Sequence, residues 1–474
     1  MLTSPSMPGH AHATTPKRRF RGAFSVVVLV VLLCAGSGCA PNRTEASDTT
    51  LNVRAYGATG NGRTDDSAAF IRAMHAAVEG RATLYIPGGT YKLRRLALPD
   101  GLRITGADSR RSWLKGGVVF GSGQYVRRLR LGRLGYSTQN GRGASGTVFE
   151  ECRFRGGGGA PGSIDAPVLQ LGFRHSVEHI TFKDCLIERN LGTENARHSR
   201  GFNNIGITEV AAAGHAHVDS ITFDGCHVGV SNGRTDIPRN IGGPRAGLEA
   251  YTDPNGAPVH GWSNLNLVNC VFEATDSFCV DLADTPLPSG ERASGPARIA
   301  GCTLKGGGWG GAPFGYTLCL EAPKGVVIEN NTIYRGYNNT LGCGASSGIG
   351  GGYIIRDNTI DCTFDNGITP LPATGYHAMV LLLGDGNVFT GNTIVTNVGG
   401  PQLELQNFTR GSVTGNTLIE KRTSSAPWAI NVWDSSGSTV TGNTFRTAST
   451  SAPVIHYQGT NANNTVTSNT FQHD

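Results

Sequence analysis

Three short runs set an acidic residue among apolar neighbours: "GLEAY" (247–251), "CVDLAD" (279–284) and "LCLEA" (318–322). If each is a strand, alternation turns Leu248 and Ala250 inward, and Glu249 and Tyr251 outward. The same alternation turns Asp281 and Glu321 outward. Glu249 and Asp281 each precede a cysteine, Cys270 and Cys302, by 21 residues, so their registers match. Glu321 precedes Asn331 by only 10, a looser match. Carboxyl groups held side by side raise one another's pKa, because two like charges resist joint ionisation. One protonated and one ionised carboxyl is what acid–base cleavage of a glycosidic bond requires. The expected catalytic set is Glu249, Asp281 and Glu321, with Asp284 as a neighbour that tunes them.

The longest insertions surround these residues: 190–203, 228–246, 252–262 and 284–296. They would wall a groove. Within or beside them, Tyr251, Trp262, Trp309 and Tyr316 supply rings that stack on sugars, and Arg245 supplies a fork for a uronate carboxylate. His260 and Lys324, with Tyr251 and Arg245, are the groups that elimination chemistry would use instead. The outward acids Glu404 and Asp434, and His456, lie among shorter intervals and read as surface groups.

What must position the carboxylates is a repeat. "SVTGNTLIE" (412–420), "TVTGNTFRT" (439–447) and "NVFTGNTIVT" (387–396) share one phrase. The pattern is an apolar residue, two polar ones, Asn or Cys, one residue, then an apolar one. It occurs eleven times, with its fourth slot at Cys152, Cys185, Cys226, Cys270, Cys302, Asn331, Asn358, Asn392, Asn416, Asn443 and Asn469. Intervals run from 24 to 44 residues without helical periodicity, and the short ones are too brief for a four-stranded propeller blade. A coil that cannot bury its own apolar face must stack on its neighbours. The pattern predicts an all-β, single-stranded parallel β-solenoid in which Asn side chains form a hydrogen-bonded file. Cysteine fits the same slot as a small buried group. Cys279, Cys319 and Cys343 fall in another strand of the coil. Such regular positions imply packing more than disulfides or zinc, and no C-x-x-C pair occurs.

Composition agrees. The chain of 474 residues has 68 glycines and only 16% charged residues, a profile of many turns. Its net charge is +6. "KRRFRGAF" and "SVVVLVVLLCAG" form a basic start and a short apolar run, which read as an export signal. Residues 1–38 hold four basic residues and no acidic one, so their removal leaves +2. That balance argues against nucleic-acid binding. "GSGC" places Cys39 where a bacterial lipoprotein carries its lipid, with 40–50 as a tether. Localisation at the cell surface or in the medium is expected. One basic run, "YVRRLRLGRLGY" (125–136), alternates like a strand and reads as a solvated face; the second reading is a site for an acidic polymer.

Residues 51–93, "LNVRAYGATGNGRTDDSAAFIRAMHAAVEGRATLYIPGGTYKL", hold the single helical pattern. Thr64 is the expected N-cap, Asp65 and Asp66 fall in the first turn, and Ala68, Ile71, Met74 and Val78 form the apolar stripe. The stretch resembles the start of right-handed β-helix proteins of the pectate-lyase-like superfamily, where it caps the solenoid. The resemblance implies a cap and first coil over 51–110 and a right-handed parallel β-helix over 111–474. It does not imply a substrate, since the fold hosts lyases, hydrolases, epimerases and tailspikes. The polygalacturonase motifs Asn-Thr-Asp and Gly-His-Gly are absent, and the one Asp-Asp pair is Asp65–Asp66.

The expectation is an extracellular polysaccharide-degrading enzyme of glycoside-hydrolase type, with a polysaccharide as partner. A polysaccharide lyase or epimerase acting on a uronate glycan is the alternative, and a non-catalytic carbohydrate-binding solenoid is the third. No metal or cofactor is expected, except calcium should the chain be a lyase.

Overall fold

The computed structural model describes residues 49–473 apart from 133, 136–143, 156–167, 172–175, 189–204, 210–216, 231–245, 253–260, 274–277, 284–293, 306–315, 322, 335–338, 345–350, 364–378, 398–400, 422–428 and 449–454. Every strand pairing among these residues is parallel. Two sheets hold fifteen strands each, a third holds eleven, and a fourth, short one holds four. One coil shows the logic. Val388–Thr390 belongs to the first sheet, Thr393–Thr396 to the second and Leu403–Thr409 to the third; Ser412–Thr414 then returns beside Val388–Thr390. The coils form a right-handed parallel β-helix, the hand that parallel crossovers take.

The repeated phrase is the corner between the first and second sheets. Its third residue has positive φ in all eleven copies: Glu151, Asp184, Gly225, Asn269, Gly301, Asn330, Asp357, Gly391, Gly415, Gly442 and Ser468. Left-handed backbone favours Gly, Asn and Asp, which is why turn-forming residues dominate this slot. The fourth residue then points into the coil. Within the file, the backbone N and Nδ2 of each Asn both donate to Oδ1 of the Asn one coil on. Asn416 Oδ1 accepts from Asn392 N (2.8 Å) and Nδ2 (3.1 Å), while its Nδ2 donates to Asn443 Oδ1 at 2.9 Å. The file runs from Asn331 to Asn469 and starts on Cys302 N, which donates to Asn331 Oδ1 at 2.8 Å. Earlier coils carry cysteines there, with thiols against carbonyls such as Phe223 O, 3.4 Å from Cys270 Sγ. All nine cysteines from Cys152 to Cys362 are buried free thiols.

Inside, equivalent side chains stack along the axis. Phe149, Phe182 and Phe223 lie ring over ring at 5.1 and 4.7 Å, with interplanar angles of 7°. Leu267, Ile299, Ile328, Ile355 and Phe389 continue that file.

The helix is Ser67–Glu79, packed on the first coils. It starts later than Thr64 suggests, with Asp66 at the N-cap. Asp66 is buried and accepts from Thr59 N, Thr59 Oγ1 and Gly60 N at 2.7, 3.0 and 3.2 Å, so it ties down a loop. The buried face is Ala69, Phe70, Ala73, Met74 and Ala77, while Ile71 and Val78 are exposed. Phe70 decides the rotation, since it is the largest side chain of the helix and meets the Tyr91 ring edge-on at 5.5 Å. Among the described residues, no helix is long and apolar enough to cross a membrane.

Candidate functional site

The third sheet turns one row of side chains away from the core. Its inward residues, including Leu248, Ala250, Val280, Leu282, Leu318 and Leu320, belong to the main core. Alternation leaves an outward file. Cα partners on successive coils run Gly206, Glu249, Asp281, Cys319, Gly342, Leu381, Glu404, Asn431 and His456. Glu249 and Asp281 are therefore vertical neighbours, as the matched spacing predicts. Cys319, which regular spacing alone assigns to packing, occupies the next place. Glu321 stands two residues farther along the same face, opposite Ala283.

This outward row is not solvated. Glu249 is 7% exposed and Asp281 3%, while Glu321 is exposed. Ligand atoms of Asp281, Cys319 and Glu321 lie within 4.8 Å of one another, and Cys319 Sγ is 3.8 Å from Glu321 Oε1. Burial first, then the charges of Asp281 and Glu321, push the Cys319 thiol well above its usual range. The thiol is thus protonated beside the carboxyls. As a ligand set, two carboxylates and a thiol suit a borderline cation such as zinc better than calcium, which takes roughly six to eight oxygens.

At the strand entrance, Ala246, Phe278 and Cys319 form a small apolar cluster with Tyr316. Tyr316 stacks on Phe278 with centroids 6.4 Å apart and planes within 4°. Its ring also lies over Gly342, where a Cβ would come within 2.5 Å of Tyr316 Cε1. Glycine there lets the ring lie flat across the file. Burial, with Cys319, Glu321 and Glu404 adding negative charge, pushes the Tyr316 phenol up to about 12. It stays a phenol, able to donate a hydrogen bond but not to act as a phenolate base.

Glu404 departs from the surface reading. It is 9% exposed, and burial raises its carboxyl above the ordinary range against a hydrogen bond from Asn431. Asn431 Oδ1 in turn meets His456 Nδ1 at 3.1 Å. A hint is present in the sequence, because Glu404, Asn431 and His456 sit at equivalent places in their strands. Short intervals between coils mask it. Asp434 is exposed, as expected.

Trp262 is a correction. It is 3% exposed, belongs to the core, and pairs with Val218 in the short fourth sheet. A strand there points its first residue inward, so the indole offers no face to a sugar; its Nε1 donates to Ala283 O at 3.4 Å. Lys324 is exposed at the turn after the third-sheet strand, its N donating to Ser294 O at 3.1 Å. Tyr251 pairs with Thr208 in its strand. Arg245, His260, Asp284, Trp309 and Cys39 lie outside the described residues.

Residues 50–159 match the family model described as rhamnogalacturonase A/epimerase, pectate lyase-like. The pectate-lyase-like resemblance of residues 51–93 therefore holds, and it sits on a parallel β-helix. No curated protein sequence matches the chain. Among solved structures it is similar to the Streptococcus pneumoniae surface protein and adhesin PfbA. That likeness has 13% identity and TM-score 0.45, over 90% of this chain and 100% of that one. It is also similar to DFA-IIIase from Arthrobacter chlorophenolicus A6, at 12% identity and TM-score 0.45, over 83% and 94%. A third is the Azotobacter vinelandii mannuronan C-5 epimerase AlgE6 A-module, at 14% identity and TM-score 0.37, over 89% and 99%.

Proposed function

We propose that this chain is an extracellular enzyme that cleaves a polysaccharide by acid–base chemistry on the outer face of its third sheet. The observation that carries the reading is the pairing of Glu249 with Asp281 on adjacent coils, both buried although both face away from the core. A carboxylate is kept out of water only where something useful offsets its desolvation. Adjacent strands stand about 4.8 Å apart. That is close to the roughly 5–5.5 Å between carboxyls of retaining glycosidases and short of the inverting separation.

In this reading one carboxyl protonates the departing glycosidic oxygen while the other attacks the anomeric carbon, and water later releases the sugar. Glu321 and the neutral Cys319 thiol border the pair, and Tyr316 donates from the entrance. The pectate-lyase-like N-terminal match and the signal-like run at 17–36 support a polysaccharide substrate met outside the cell.

The test is incubation of the chain with neutral and acidic polysaccharides, following reducing ends and ultraviolet absorbance together. New reducing ends without absorbance are expected. Absorbing unsaturated ends would replace hydrolysis with elimination, and no change in any polymer would remove the enzymatic reading.

A further inference from the structure

The outer face of the second sheet, near its start, carries a cationic surface that the carboxylate file does not use. Trp113, Arg130 and Arg153 occupy one column on three successive coils. Two residues farther along, the same coils present Lys115, Gly132 and Arg155. Gly132 leaves a gap in that second column: a Cβ there would meet only Gly116 O, at 3.8 Å. The gap is a notch with a cation on either side.

The cations gather around one indole. Arg130 Cζ lies 4.9 Å from the Trp113 ring centroid, Arg155 Cζ 5.0 Å and Lys115 Nζ 5.6 Å. Contacts of this kind hold cations in place without neutralising them. Among the described residues, one carboxylate contacts two of these four cations. Buried Glu188 accepts from Arg153 Nε at 2.5 Å and from Arg130 Nη2 at 3.3 Å. Among the described residues, Lys115 and Arg155 have no ion-pair partner, and both are exposed. Burial, aided by like-charged Arg155 and Arg153, pulls Arg130 below the usual guanidinium range despite Glu188. Positive charge is thus concentrated here beyond what the described residues neutralise, in a chain whose net charge is only +6.

We propose that the notch over Gly132, between Lys115 and Arg155, is a second carbohydrate site that binds acidic polysaccharide through its carboxylate or sulfate groups. Guanidinium forks and an ammonium are the groups that recognise such anions. Three coils at about 4.8 Å spacing set the cations over roughly 10 Å, enough for neighbouring charged sugars of one extended chain. Nucleic acid fits poorly, since its binding relies on neutralising many phosphates along a long path. The site is separate from the third-sheet file and does not depend on that file being catalytic.

The experiment is electrophoresis of the full chain through native gels containing polygalacturonate, dextran sulfate or neutral dextran. Duplex DNA at matched charge serves as a further arm. Retardation is expected with the acidic glycans and not with neutral dextran. Retardation by polygalacturonate alone assigns the site to carboxylates, and by both acidic polymers to either anion. Arg155→Ala and Lys115→Ala, both at exposed positions, should each weaken retention about threefold to tenfold. Gly132→Asp, which places a negative charge in the notch, should abolish it, while Glu249→Gln should retain it. Wild-type retention in Arg155→Ala and Lys115→Ala, equal retardation by neutral dextran, or equal retention by DNA would each overturn the proposal.

Discussion

Glu249 and Asp281, 32 residues apart in sequence, are direct partners across adjacent strands on the outer face of the third sheet. The coil brings them together, because one full turn of chain returns to the same angular position about 4.8 Å higher. Everything chemical in this molecule follows from that return. The buried Asn or Cys of each repeat fixes the corner, the corner fixes the phase of the next strands, and the phase decides which side chains share a face.

The Asn file should carry measurable stability. Asn416 is buried and fully bonded within the file, and it also donates to Phe389 O at 2.9 Å. Asn416→Ala leaves two buried backbone groups of the preceding coil, Asn392 N and Phe389 O, without these partners, so a loss of about 2–4 kcal/mol is expected. Asn469 ends the file and is more exposed. Asn469→Ala should cost less than half as much in chemical denaturation. Equal costs would show that the interior file contributes no more than its end.

The left-handed corner gives a second, finer test. Gly415 has φ +64, and no atom lies within 4 Å of the point a Cβ would occupy. Gly415→Ala should therefore show conformational strain alone, about 1 kcal/mol. Gly415→Asn should recover part of it, since Asn330 and Asn269 hold the same slot naturally. A larger loss for Asn than for Ala would contradict this account of the corner.

Glu404 predicts a pH signature. Its carboxyl is raised in the folded state, so the folded chain holds the proton more tightly than the unfolded one. The stability it contributes is complete below the unfolded value of about 4.3 and is lost as pH rises through the folded value. Glu404→Gln removes that loss. Thermal unfolding should show the variant more stable than wild type at pH 7 and equal to it near pH 3. A variant less stable at pH 7 would mean that favourable contacts hold the carboxylate ionised.

Much of this is legible in the sequence, for a physical reason. Stacked coils repeat one local environment, so the Asn/Cys slot, its turn residue and the flanking apolar pair recur in print. The register of Glu249 with Asp281 can be counted from it. Alternation, however, reports only which side of a strand a residue takes, not whether that side is wet. It therefore puts Glu404 at the surface though the residue is 9% exposed. Trp262 looks like a sugar platform because its loop resembles an insertion, whereas a two-residue strand, Trp262–Ser263, turns it into the core. Cys319 looks like one more packing thiol, since only three-dimensional register distinguishes it from inward Cys279 and Cys343.

The one-coil separation of Glu249 and Asp281 predicts stereochemistry. Products released from a glycan should keep the anomeric configuration of the bond that was cut, as seen by proton magnetic resonance in the first minutes. Initial release of the opposite anomer would place a water between the carboxyls and contradict adjacent-coil catalysis.

The most direct test of the whole account is the rate of reducing-end release from one polymer by wild type, Glu249→Gln and Asp281→Asn at equal concentration. Each variant should fold with an unchanged unfolding temperature near neutral pH and lose about 10²–10⁴-fold in turnover. Two folded variants that release reducing ends at the wild-type rate would show that the chemistry lies elsewhere on the coil.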